Sequence, residues 1–203
     1  MTLPEARRPA PFGVLVVCTG NVCRSPVAEA LLRAQLGPAA DVVVASAGLS
    51  ALTGAGLDAR TAVALGDPLP GFRARQLTPE SVAAADLVLT MTRAHRSALV
   101  QQVPAALRRT STLREFAALT TLATEQGRIG GASPGERLAA LSELAPRLRS
   151  RRTPGPEDDV DDPFGRPSEE HERAVRRIRE AVAVVAAAVG TSTARAVDGA
   201  VRT

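Results

Sequence analysis

Two kinds of hydrophobic pattern alternate along this chain. Short apolar runs occur at 12–17 (FGVLVV), 41–48 (DVVVASAG) and 86–91 (DLVLTM); the first stops at Cys18 and the second at Gly48. Continuous β-branched runs of this length predict strands covered on both faces. Between them lie segments with helical spacing. SPVAEALLRAQL (25–36) puts Ala28, Leu31, Leu32 and Ala34 on an inward side, with Ser25 at the cap and Pro26 at the first position. A glycine-rich loop, LSALTGAGLDAR, leads into a short helix near 58–65. TPESVAAA (78–85) carries a capping box, with Thr78 as cap and Ser81 where Glu or Gln is the stronger partner. TRAHRSALVQQV predicts a helix, RRTSTL a fourth strand and REFAALTTL another helix.

Strands alternating with helices of this length predict a parallel sheet. The expected fold is α/β: a single-domain, three-layer sandwich with a central four-stranded parallel sheet flanked by helices. The rhythm breaks between 123 and 159, which reads as a helix-containing insertion flanked by mobile loops, its helical piece being RLAALSELAPRLRSRR. The stretch 167–190 closes the domain as a long amphipathic helix, with Pro167 before it, Ser168 as cap, and Glu169 and Glu170 at its positive end. The domain therefore runs from 12 to 190, between flexible tails at 1–11 and 191–203.

Composition narrows the chemistry. Hydrophobic residues make up 45% of the 203 positions and aromatics only 2%, so Ala, Val and Leu must build the core. Every basic residue except two histidines is Arg, and Lys is absent. That excludes a Walker A lysine, a Schiff base and pyridoxal phosphate chemistry. Net charge is +4, but arginines interleave with carboxylates in stretches such as EEHERAVRRIRE, the pattern of a solvated helix face. With almost no stacking aromatics, nucleic acid is not an expected partner. The longest apolar run, AVAVVAAAV at 181–189, is too short to span a bilayer. Cys18 and Cys23 are the only cysteines and make no disulfide framework; with His95 and His171 far off in sequence they make a poor zinc set. The expectation is a cytoplasmic protein with reduced thiols and no metal.

The densest chemistry lies in VVCTGNVCRSPVAEALL (16–32). A tight loop between a buried strand and a helix makes an anion site, because backbone N–H groups point inward and the helix N-terminus adds positive potential. The phosphate loop is thus expected directly after the first strand, over Thr19, Gly20, Asn21, Val22, Cys23, Arg24 and Ser25. Gly20 and Asn21 tolerate unusual backbone angles. Arg24 can grip a tetrahedral oxyanion with its planar fork. Cys18, in the same field, is placed as a thiolate nucleophile. An acid for the leaving group is sought in DDVDDPFGRP, where Pro163 stiffens the loop after Asp162 and Phe164 can wall a pocket. Read locally, the four aspartates there could equally be a solvated acidic loop.

These motifs resemble the low-molecular-weight protein tyrosine phosphatase family. CTGNVCRSP matches its Cys-x5-Arg-Ser-Pro loop, DDPFG its Asp-Pro-aromatic acid loop, and SAG (46–48), ARQ (74–76) and ADLVLTM (85–91) match as well. The resemblance implies that Cys18 is the nucleophile, that Arg24 binds the phosphoryl group, and that Asp162 acts as acid and then base. It further implies that Ser25 hydrogen-bonds the Cys18 sulfur, that Asn21 holds the loop with help from Ser46, and that Cys23 is a redox guard closing a reversible disulfide with Cys18. It calls for no cofactor.

Substrate choice rests on smaller signs. Val22, Leu52 and Phe164 are the expected pocket walls. Val22 is branched and apolar, as in tyrosine phosphatases of this fold; related protein-arginine phosphatases carry Thr there, although DPFG is close to their acid loop. SAGLSALTGAG resembles the members that act with tyrosine kinases of exopolysaccharide export, so a phosphorylated protein, such as a bacterial tyrosine kinase, is the implied partner of a monomer or weak dimer. The family often has His where Phe72 stands, so Asn21 loses a partner or finds another. A thiol-dependent arsenate reductase and a non-catalytic phosphate-recognition module are the rival readings.

Overall fold

The computed structural model describes residues 10–38 and 41–190. The expected tails fall outside the described residues, apart from Ala10 and Pro11. Four strands form one sheet: β1 (Phe12–Cys18), β2 (Val42–Gly48), β3 (Leu87–Thr90) and β4 (Thr110–Thr112). Their order is β2-β1-β3-β4 and every pairing is parallel. The helices are α1 (Arg24–Leu36), α2 (Ala59–Leu65), α3 (Pro79–Ala83), α4 (Arg93–Gln102), α5 (Leu113–Glu125), α6 (Pro134–Leu148) and α7 (Ser168–Gly190).

The alternation of β1 shows why its run is apolar throughout. Val14, Val16 and Cys18 face a core shared with α1, α5, α6 and α7. Leu15 and Val17 face a second core with Val82 of α3, Leu99 of α4 and Ala106. Both faces are covered, so both parities must be hydrophobic. The result is helix, sheet, helix, as expected. Because β1 connects through α1 to β2 on one side, while β3 lies on its other side, the strand order reverses beside the end of β1. In open parallel sheets the crevice at such a reversal is where ligands bind. Among the described residues no helix is long and apolar enough to cross a membrane.

Three boundaries differ from the sequence expectation. α1 starts at Arg24 behind Cys23, without a side-chain cap, because the Ser25 hydroxyl is drawn elsewhere. β4 begins at Thr110, since Pro104–Arg109 winds into a 3₁₀ turn that takes up the first arginines of RRTSTL. α7 includes Ser168 in its first turn, where the Glu170 N–H donates to the Pro167 carbonyl at 3.1 Å. The Thr78–Ser81 capping box forms in full.

The helix expected within 123–159 is α6, and it is built into the main core. Leu138, Leu141, Ala145 and Leu148 are all buried there with Phe116, Ile178 and Val182. Its start is pinned by Asp41, whose carboxylate accepts from Ser133 Oγ at 2.6 Å and from the Gly135 N–H at 2.8 Å. A segment that interrupts the strand–helix rhythm therefore stabilises the domain as any core helix does. Leu141→Ala and Ile178→Ala are each expected to cost about 2–5 kcal/mol in urea unfolding. Val63→Ala, at a position 83% exposed, should stay within about 0.5 kcal/mol of wild type.

Candidate active site

The loop after β1 is shaped by its carbonyls. Those of Cys18, Thr19, Gly20 and Val22 accept from the N–H groups of Leu49, Ser50, Leu52 and Asp58 at 2.8–3.0 Å. A trans peptide points its N–H opposite to its C=O. The N–H groups of Thr19, Gly20, Asn21 and Cys23 are thereby turned away from the 49–58 segment, towards the inside of the loop. That of Asn21 reaches Cys18 Sγ at 3.3 Å. This turn demands a close approach at Gly48, where an added Cβ would collide with the Thr19 carbonyl oxygen. Asn21 itself adopts the left-handed region, φ 53°, a conformation that Asn tolerates better than most residues.

The Asn21 side chain holds that conformation. Its Nδ2 donates to Ser25 Oγ and Ser46 Oγ, both at 2.9 Å, and its Oδ1 accepts from the Arg75 N–H at 2.8 Å. The Asn21 amide is thus satisfied by a backbone N–H, while Phe72 packs against the small cluster of Val22, Cys23 and Ala74. Ser46 in turn donates to Glu29 Oε2 at 2.5 Å, and Glu29 pairs with Arg33 and Arg75 at 2.9 and 3.2 Å. Ser25 Oγ accepts from Asn21, lies 3.0 Å from Cys18 Sγ, and can also donate to the Ala47 carbonyl at 3.5 Å. The Asn21 N–H thus donates to the sulfur, and the Ser25 hydroxyl lies beside it within hydrogen-bond distance.

Arg24 is buried, and its Nη1 donates to the Val160 carbonyl at 3.1 Å. Its Nη2 meets Asp162 Oδ2 at 2.6 Å, while its Nε is buried without a hydrogen-bond partner. An unpaired guanidinium N–H beside a ring of inward N–H groups is a donor set for a tetrahedral oxyanion. Asp162 is half exposed and its Oδ1 accepts from the Phe164 N–H at 3.1 Å, which fixes the turn after Pro163. Cys18, Arg24, Asp162, Val22, Leu52 and Phe164 line one cleft of about 150 Å³, together with Ser50.

The other aspartates of the acidic stretch are each taken by a separate arginine. Asp158 pairs with Arg152 at 2.6 Å, Asp159 with Arg93 at 3.1 Å, and Asp161 with Arg177 at 3.6 Å. Only Asp162 reaches the phosphate loop, so the stretch is not simply a solvated acidic loop.

Several contributors escaped the sequence reading. Glu29, Arg75, Gly48 and His95 sit in matching or ordinary-looking stretches, and nothing local announces their contacts. His95 Nε2 lies 2.9 Å from Thr19 Oγ1. Burial, helped by the positive charge of Arg24, pushes its pKa down from 6.5 to about 4. The expectation that both histidines lie far from the cysteines fails for His171: its imidazole gathers with Cys23 Sγ and the Asp58 carboxylate, ligand atoms within 4.8 Å of one another. Cys23 is itself buried, which pushes its thiol up to about 12 against the opposing hydrogen bond from Thr61.

The model of the family "Low molecular weight phosphotyrosine protein phosphatase" matches residues 13–126, more than half of the chain. The chain belongs to that family. This family member is 42% identical over 95 residues to the probable low molecular weight protein-tyrosine-phosphatase EpsP of Ralstonia nicotianae, covering 45% of the chain and 63% of that protein. It is 46% identical over 94 residues to the low molecular weight protein-tyrosine-phosphatase Wzb of Salmonella typhi, covering 45% of the chain and 61% of that protein. The matched part thus spans about six tenths of those relatives' lengths. Among solved structures it resembles the YwlE arginine phosphatase from Geobacillus stearothermophilus, with a TM-score of 0.64 and 30% identity over 87% of this chain and 92% of that one.

Asn21→Ala removes three hydrogen bonds and the residue suited to the left-handed turn. It should weaken binding of inorganic phosphate in the loop by roughly tenfold or more, read by calorimetric titration. For His95 the sign follows from its lowered pKa. Between about 6.5 and about 4 the unfolded chain binds a proton that the native chain refuses. Stability should therefore fall as pH drops through that window and change no further on this account below it. Urea unfolding of wild type and His95→Asn across the window measures this, the variant having the shallower slope.

Proposed function

We propose that the protein is a protein tyrosine phosphatase that hydrolyses phosphotyrosine through a phosphocysteine intermediate. The observation that carries this reading is the meeting of Cys18, Arg24 and Asp162 in one cleft whose remaining walls are largely apolar. In the first step the Cys18 thiolate attacks phosphorus in line and the P–O bond to the tyrosine breaks. Asp162 gives the leaving oxygen its proton, a task that requires it to release Arg24 as the phosphoryl group takes its place. Arg24 and the inward N–H groups carry the charge on the three equatorial oxygens. In the second step Asp162 takes a proton from water, the water oxygen attacks phosphorus and the P–S bond breaks, returning the thiolate.

Val22, Leu52 and Phe164 supply a flat-ring pocket, Leu52 and Phe164 from its exposed rim. The partner we propose is a phosphorylated cytoplasmic protein such as a bacterial tyrosine kinase, met by a catalytic unit spanning 12–190 that acts as a monomer or weak dimer. The likeness to the YwlE arginine phosphatase supports phosphoarginine as the second reading.

Cys18→Ser is expected to abolish turnover of p-nitrophenyl phosphate, and activity equal to wild type would sink the proposal. Wild type should release phosphate from phosphotyrosine peptides faster than from phosphoarginine peptides, and Val22→Thr should narrow that preference; a wild type that prefers phosphoarginine selects the second reading.

A further inference from the structure

Beneath the phosphate loop lies a second cluster that the hydrolytic steps do not use. Cys23 flanks the start of α1, Asp58 caps α2, and His171 stands in the first turn of α7. Cys23 Sγ, an Asp58 carboxylate oxygen and an imidazole nitrogen of His171 all lie within 4.8 Å of one another. His171 Nδ1 is 3.3 Å from Asp58 Oδ1 and 2.8 Å from Thr61 Oγ1. The imidazole is fully buried, and its Nε2 has no hydrogen-bond partner.

We propose that Cys23, Asp58 and His171 form a binding site for one thiophilic divalent metal ion of the zinc class. The donor set is one sulfur, one nitrogen and one oxygen, the mixture that zinc favours. Donor atoms around tetrahedral zinc stand roughly 3.3–3.7 Å apart, as the ~2.0–2.3 Å bond lengths require. The Asp58–His171 separation already meets that spacing, and Cys23 needs a shift on the order of 1 Å. The Thr61 hydroxyl, in contact with both Asp58 and His171, is the fourth donor within reach. Charge also balances: a divalent ion with one thiolate, one carboxylate and a neutral imidazole is neutral overall, which suits a buried place. The ion enters from the side of Asp58, the least buried of the three.

Binding replaces the Cys23 S–H bond with a sulfur–metal bond and releases one proton. No electron moves. Because a proton leaves on binding, affinity should rise with pH. A loaded site withdraws Cys23 from disulfide formation with Cys18. It also stiffens the phosphate loop, since the Asp58 N–H donates to the Val22 carbonyl at 2.8 Å.

The test is a titration of the full, reduced chain with Co²⁺, followed by thiolate-to-cobalt charge-transfer absorption in the near ultraviolet. One equivalent is expected to give the band, and Zn²⁺ to bleach it. The band should persist in Cys18→Ser, disappear in Cys23→Ser, and need about tenfold or more cobalt in Asp58→Asn and in His171→Gln. Thermal unfolding of each variant checks that it is folded; should the buried His171→Gln fail to fold, the near-isosteric Asp58→Asn decides. The proposal is overturned by a wild type without the band at pH 8. It is equally overturned by a band that follows Cys18 instead of Cys23, or one that Asp58→Asn leaves at full affinity.

Discussion

The site depends on the need of one buried cation for partners. Arg24 is always charged, and a guanidinium buried to 3% exposure is costly unless its N–H groups are occupied. Its partners come from the far end of the chain: the Val160 carbonyl, 136 residues away, and the carboxylate of Asp162. The same interaction that stabilises the cation therefore brings Asp162 to the loop that carries Cys18. Val160 is held in place by donating its own N–H to Met91, just past β3, at 2.8 Å. Position is thus relayed from the sheet through β3 to the acid loop, and through β1 and α1 to the phosphate loop.

An all-arginine composition makes this sorting possible. Each aspartate of the 158–162 stretch meets its own guanidinium, and three of the four pairs tie the acid loop to the scaffold. Asp158 does so from a buried position, its carbonyl also accepting from Thr112 Oγ1 at 2.8 Å. Asp162 remains half exposed, and only this one faces the cleft.

The phosphate loop is held by contacts from distant segments. Asn21 takes a backbone N–H from Arg75, whose side chain also meets Glu29. The amide still satisfies three of its hydrogen bonds, so the left-handed turn is kept. Backbone donors serve as well as side chains here because Asn21 needs an N–H at a given place, whatever residue carries it.

By itself the sequence determined the parallel α/β class and the position of the phosphate loop after β1, and it pointed to Cys18, Arg24 and the cleft-lining Val22, Leu52 and Phe164 as candidates. Those features are local: hydrophobic period, turn residues and contiguous motifs are set within a few residues of one another. Tertiary structure alone decided how Arg24 and the Val160 carbonyl bring Asp162 to the loop, that the Asn21 side-chain oxygen takes the Arg75 N–H, that α6 belongs to the core, and that His171 joins Cys23. Each of these is a contact between segments tens to more than a hundred residues apart. Their geometry follows from how the sheet orders its strands, a quantity no window of sequence contains.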